Sequence, residues 1–247
     1  MNAIMPPVTP QFLASVSSLA EARLVAAHGA DIIDLKDPAR GALGALAAAE
    51  RARIVTALGG RHTLSATIGD RPLAADVIAP AITATAAAGV DIVKIGWFGR
   101  QLDSAVLACL ARAAGQGVRV VVVLFAEYGA QLDHLPSLAD AGLYGVMLDT
   151  MDKQSGALRD KLGDDELAAF VARSRDAGLY CGLAGSLKQA DIVPLLSLQP
   201  DYMGFRGALC RDSQRIATLD KAAVEAVRCA IKTNIHTLAD RPSVACV

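Results

Sequence analysis

The sequence predicts an α/β protein, a single-domain parallel (β/α)8 barrel of the TIM type, and three observations lead there. Eight short apolar or β-branched runs alternate with eight helix-like stretches across 247 residues, a length common for a one-domain barrel. In four units a glycine ends the helix and an apolar strand follows directly, because glycine takes the left-handed cap conformation at little cost. The competing fold, a doubly wound open sheet, usually carries a Gly-rich dinucleotide fingerprint after its first strand. Here that position reads Ser15-Val16-Ser17-Ser18-Leu19.

The elements follow in order. The first strand is expected at 13–18 and its helix at 19–28. Gly29 then introduces strand 31–36, followed by helix 48–58. Strand 63–68 and helix 76–88 make the third unit. Gly89 introduces strand 91–95, with helix 104–114 behind it, and the valine-rich run 118–124 leads to helix 132–141. Gly142 precedes strand 143–148, and Gly178 precedes strand 179–184; their helices are expected at 165–177 and 189–198. Strand 201–205 and helix 221–231 close the set. The charged stretch 156–165 reads as an exposed loop. The barrel is expected to occupy residues 1–232, and the tail 233–247 loses helical periodicity and is expected to be poorly ordered.

Bulk properties exclude several functions. A formal charge of −1 and a pI near 6.4 give no global basic surface, so a small molecule is expected as the partner rather than nucleic acid. No apolar run reaches the roughly 18 residues of a membrane span, and the start Met1-Asn2-Ala3-Ile4-Met5-Pro6-Pro7 lacks a basic signal region; a cytoplasmic protein without membrane partners is expected. Five widely spaced cysteines without a CxxC pair read as reduced thiols, mostly buried. His28, His62, His134 and His236 show no ligand spacing, so no metal is expected. High apolar content, 53% against 20% charged, suggests a homo-oligomer.

Charged residues at strand ends carry the chemistry. Alternate strand residues share a face, so Asp34 and Lys36 point together into the mouth of a barrel. Lys94 ends the fourth strand, and Asp149, in Met147-Leu148-Asp149-Thr150, ends the sixth. Two nearby ammonium groups disfavour each other's charged forms, which makes one lysine available as a neutral nucleophile toward a carbonyl. Asp34 and Asp149 could move protons as a Schiff base forms. The plainer alternative is a set of ordinary strand-end ion pairs. Against it, the chain has only seven lysines and uses arginine for most of its positive charge, although either serves in an ion pair and only lysine readily becomes a nucleophile. Lys153 lies just past Asp149 and can reach the same mouth or remain a plain surface charge.

Gly182-Leu183-Ala184-Gly185-Ser186 and Gly204-Phe205-Arg206-Gly207 follow the seventh and eighth strands, where barrels often hold phosphate. Gly185, Ser186, Arg206 and Gly207 are therefore the candidate phosphate-binding residues, with Arg206 offering a bidentate contact. Trp97 and Phe98 could line the pocket or simply pack, and Glu127 and Tyr128 stand where a supporting role is open.

Six stretches in order resemble the (5-formylfuran-3-yl)methyl phosphate synthases, also called 4-(hydroxymethyl)-2-furancarboxaldehyde-phosphate synthases, of methanofuran biosynthesis. They are Gly29-Ala30-Asp31-Ile32-Ile33-Asp34-Leu35-Lys36 with Pro38 and Leu43-Gly44-Ala45; Ser65-Ala66-Thr67-Ile68-Gly69-Asp70; Lys94-Ile95-Gly96 with Phe98-Gly99; Met147-Leu148-Asp149-Thr150; Leu183-Ala184-Gly185-Ser186; and Arg206-Gly207-Ala208 with Cys210. The similarity spans roughly residues 12–232 and departs around 124–133; position 37 is Asp where some members carry Asn.

The resemblance implies a TIM-like barrel, free of cofactors, that joins two molecules of the triose phosphate glyceraldehyde 3-phosphate with loss of phosphate and water. By position it makes Lys36 the Schiff-base lysine, Lys94 the second catalytic lysine, Asp34 and Asp149 the acid/base carboxylates, and Lys153 a further active-site lysine. The rival readings are a sugar-phosphate decarboxylase or epimerase that forms no covalent link, and a non-catalytic sensor of phosphorylated metabolites.

Overall fold

The structure, a computed structural model, describes residues 10–152 and 155–239, with side chains described as far as Thr233. Eight parallel strands close a barrel in sequence order: β1 (Gln11–Val16), β2 (Ile32–Leu35), β3 (Thr63–Thr67), β4 (Ile92–Trp97), β5 (Val120–Phe125), β6 (Gly145–Asp149), β7 (Tyr180–Leu183) and β8 (Tyr202–Phe205). The helices around it are α1 (Leu19–Ala27), α2 (Ala48–Leu58), α3 (Ala75–Ala86), α4 (Ser104–Gly115), α5 (Leu135–Asp140), α6 (Leu158–Lys161), α7 (Asp164–Asp176), α8 (Ile192–Leu196) and α9 (Lys221–Ala239). The expected barrel is the observed one.

Strand alternation sorts the apolar residues into two cores. Phe12, Ala14 and Val16 of β1, Ile33 and Leu35 of β2 and Val120, Val122 and Leu124 of β5 face outward into the layer beneath the helices. Leu13, Ile32, Ile92, Val121, Val123, Phe125, Met147 and Tyr202 fill the barrel interior. Because the sheet is buried on both faces, β5 reads as an uninterrupted apolar run.

The amino-terminal end of the barrel is fastened by a repeated device. Asp31, Asp91 and Asp201 each precede a strand and accept the backbone N–H of a neighbouring one: Phe12 at 2.8 Å, Leu64 at 2.8 Å and Cys181 at 2.6 Å. Gly29, Gly89, Gly142 and Gly178, ahead of four strands, take φ between 72° and 87°, as the helix-ending role requires.

Two segments differ from the sequence expectation. Residues 156–165 contain α6, with Leu158 at its start and Leu162 just past its end both buried, while the Leu158 N–H donates to the Gly185 carbonyl at 2.9 Å. An apolar pair four residues apart is the signal that the surrounding charges masked. The final helix also runs on through Ala239 rather than ending near residue 232, and the rest of the expected tail, 240–247, lies outside the described residues. Among the described residues, no helix is long and apolar enough to cross a membrane.

Candidate active site

Asp34 is the inward residue one step before the end of β2, and register places it between Ser15 of β1 and Ser65 of β3. Its side chain is fully buried. It accepts hydrogen bonds from Ser15 Oγ at 3.0 Å and Ser65 Oγ at 2.7 Å, and an ion pair joins its Oδ1 to Lys94 Nζ at 2.8 Å. Burial by itself pushes the Asp34 carboxyl up. Lys94 and then Lys36, helped by the hydrogen bonds from Lys94 and Ser65, outweigh that effect and hold it below the usual carboxylate range. Asp34 is therefore a fixed anion.

Lys36, directly after β2, and Lys94, the third of six residues of β4 rather than its end as expected, reach the same space. Lys94 is 2% exposed and Lys36 is 7% exposed, so both ammonium stems are packed while their ends meet a cavity of about 350 Å³ at the carboxyl mouth. Asp149 lines that cavity from β6, and its Oδ1 accepts the Thr150 N–H at 2.7 Å. Three of the five expected catalytic residues, Lys36, Lys94 and Asp149, thus line one cavity, and Asp34 lies buried behind them, paired with Lys94. Lys153 lies outside the described residues.

Gly185, Ser186 and Gly207 border the cavity on the side of β7 and β8. Positive φ at Gly185 (107°) and Ser186 (50°) turns this backbone sharply, and a Cβ at Gly185 would press on Thr150.

Arg206 does not fit its expected role as a phosphate contact. All five of its N–H donors are engaged within the protein. Nε donates to the Arg215 carbonyl at 2.8 Å, and Nη1 to the Ser15 carbonyl at 3.2 Å and Glu21 Oε2 at 2.6 Å. Nη2 donates to Glu21 Oε1 at 3.2 Å and the Ala217 carbonyl at 3.0 Å. Arg206 is a strut joining β1, α1 and the loop after β8. Arg206 itself borders the cavity, and so does the residue it supports, Arg215, which sequence reading missed because it sits in an irregular segment ten residues past β8.

The loop after β2 closes another side. Asp37 caps a 3-10 turn at Pro38–Arg40 by accepting the Ala39 N–H, which assigns it to loop shape rather than chemistry. Asp70, from the loop after β3, accepts the N–H groups of Ala42 and Leu43 at 2.8 and 2.7 Å. Thr67 Oγ1 donates to the Gly44 carbonyl at 3.1 Å, and a Cβ at Gly44 would strike the carbonyl oxygens of Asp37 and Arg40.

Trp97 and Phe98 pack rather than line the cavity. Trp97 is fully buried in the outer layer, where Nε1 donates to the Gln101 carbonyl; Phe98 stacks on Phe125 with centroids 4.8 Å apart. Glu127 accepts the N–H groups of Met151 and Asp152 and so shapes the loop after β6. Among the described residues, no group of three or more His, Cys, Asp or Glu could hold a metal ion. Cys109, Cys181, Cys210 and Cys229 are free thiols, the first three buried.

Chemically, amines beside a buried anion and a carboxylate at the rim suit carbonyl addition and proton transfer. A closed (β/α)8 barrel with this lysine–carboxylate cluster at its carboxyl mouth belongs to the barrel enzymes. Residues 12–228 match the family model of 4-HFC-P synthase, and the chain belongs to that family.

Its relatives agree. The (5-formylfuran-3-yl)methyl phosphate synthase of Methanopyrus kandleri is 34% identical over 217 residues, covering 83% of this chain and 92% of the relative. A Methylorubrum extorquens protein that carries the same name provisionally is 47% identical over 223 residues, 89% of this chain and 92% of its own. Among solved structures, 3-hexulose-6-phosphate synthase from Salmonella typhimurium superposes with a TM-score of 0.67 at 16% identity, over 91% of this chain and 99% of that one. That likeness is one of fold.

Proposed function

We propose that this protein makes (5-formylfuran-3-yl)methyl phosphate from two molecules of glyceraldehyde 3-phosphate, through a Schiff base on Lys36. The observation that carries the reading is the buried Lys94–Asp34 pair, 2.8 Å apart, with Lys94 and Lys36 both lining the cavity. Lys94 spends its charge on Asp34. Lys36 is the more accessible amine and therefore the nucleophile.

The imine forms when Lys36 Nζ adds to the aldehyde carbon and water leaves. It acts as an electron sink: a base removes the proton from the adjacent carbon, and the electron pair expels phosphate from the third carbon, leaving an enol whose terminal carbon is nucleophilic. Asp149 is the base in this scheme, since it lines the cavity, whereas Asp34 is closed off by its three donors. The product bears its phosphomethyl group on a ring carbon bonded to both triose halves. The second triose therefore accepts the new bond at its central carbon and must react as the ketose isomer, which the same carboxylate and lysine can generate by carrying the C2 proton to C1 while a second proton passes from the C2 hydroxyl to the C1 carbonyl oxygen. Ring closure and loss of two waters, counting the imine's formation and hydrolysis as cancelling, balance two trioses against one furan phosphate and one inorganic phosphate.

Incubating the purified protein with glyceraldehyde 3-phosphate alone tests this. Inorganic phosphate should appear together with a near-ultraviolet furan-aldehyde absorbance. Phosphate without the chromophore would mean elimination only and would end the condensation reading.

A further inference from the structure

Two arginines nine residues apart follow β8 and are treated oppositely by the fold. Arg206 is fully engaged, as described above. Arg215 has one protein hydrogen bond, from Nη2 to the Gly41 carbonyl at 3.0 Å, and no ion pair among the described residues. Its guanidinium is half withdrawn from water at the cavity wall, and burial lowers its pKa despite the opposing fields of Asp149 and Asp70. A partly desolvated cation without a carboxylate partner is costly unless an anion meets it.

The segment that holds it is built to stay in place. Asp212 and Ser213 both adopt left-handed φ, 52° and 56°, a strained turn for residues other than glycine. Arg206 grips the carbonyls of Arg215 and Ala217, Glu21 Oε1 accepts the Leu219 N–H at 3.4 Å, and Cys210 pairs with Leu219 in an isolated bridge. The buried Glu21–Arg206 pair, 2.6 Å apart, therefore fixes the loop from below. From that base Arg215 reaches over to the loop after β2, the side from which Lys36 enters.

We propose that Arg215 is a substrate-recognition residue that grips a phosphate of the triose on the Lys36 side of the cavity, while the backbone turn at Gly185, Ser186 and Gly207 faces the other phosphate. This rests on the reading that the substrates are triose phosphates, two of which bring two phosphate groups into one cavity. The free donors of the guanidinium provide the fork that a phosphate needs. Arg206 is the positioning residue behind it.

The test uses glycerol 3-phosphate, which has the phosphate and chain length but no carbonyl, so its binding needs no chemistry. Calorimetric titration of the full chain should show binding that weakens about 10- to 100-fold in Arg215→Gln, the loss expected for a charge-assisted hydrogen bond. Arg215→Lys, which keeps the charge and loses the fork, should recover part of it. An isotherm for Arg215→Gln equal to that of the unaltered protein overturns the proposal. So does equal weakening in both variants with a lowered melting temperature, since that reports a collapsed loop. Failure of furan formation would leave the titration result intact, so the two readings fail separately.

Discussion

Lys94 Nζ sits 2.8 Å from Asp34 Oδ1, with both side chains almost wholly shut from solvent. A buried pair of this kind is weak evidence of stability in itself, but removing one partner leaves an uncompensated charge. Asp34→Asn and Lys94→Met should each cost roughly 3 to 5 kcal/mol. The double variant should cost clearly less than the sum of the two, because neither orphaned charge remains. Urea denaturation of the four proteins measures this, and strict additivity would show that the two groups do not interact.

Glu21 and Arg206 form a second buried pair, whose task is to hold the loop after β8. Burial pushes the Glu21 carboxyl up, yet the hydrogen bonds from Arg206 and Ser17 and the Arg206 charge hold it below its ordinary 4.5. The unfolded chain therefore takes up this proton at a higher pH than the folded one. The stabilisation is complete above pH 4.5 and is lost as pH falls through the lowered value. Urea midpoints measured from about pH 6 down to about pH 3 should fall more steeply for the unaltered protein than for Glu21→Gln. Parallel curves would contradict the assignment.

Tyr202 fills the barrel interior, and its hydroxyl finds no hydrogen-bond partner among the described residues. An unsatisfied buried hydroxyl costs about 1 to 3 kcal/mol. Tyr202→Phe should consequently be as stable as the unaltered protein or more so, with an unchanged turnover rate. A marked fall in rate would show that the hydroxyl takes part in proton movement near Asp34.

Asp70 stands outside the chemistry but accepts two N–H groups of the loop after β2. Asp70→Ala should free that loop beside Lys36 and lower kcat/KM by at least about tenfold, with about 1.5 to 3 kcal/mol of stability lost. Steady-state kinetics and thermal melting decide it. Unchanged kinetics with reduced stability would restrict Asp70 to a structural role.

Much of the site was legible because strand alternation is a strict period. Once Asp34 is placed on β2, Lys36 must share its face, and Lys94 and Asp149 meet it wherever eight parallel strands close into a barrel. The saturation of Arg206 was hidden for the opposite reason. Its partner Glu21 is 185 residues away in sequence, and no local pattern shows that a distant carboxylate will saturate a guanidinium. Arg215 was invisible because a cation in an irregular loop has no period to place it. Trp97 went the other way: counting from inward Lys94 and Gly96 along β4 puts it outside, so its burial in the helix layer could have been read. The short helix α6 and the length of α9 depend on burial of a few apolar residues, a tertiary effect stronger than the local charge pattern.

The most direct measurement of the central claim is reductive trapping. The protein is incubated with glyceraldehyde 3-phosphate, reduced with borohydride during turnover, digested and mapped by mass spectrometry. The expected result is a three-carbon adduct on the peptide containing Lys36, absent from Lys36→Ala. Turnover with no adduct, or an adduct confined to Lys94, would contradict the Lys36 Schiff base.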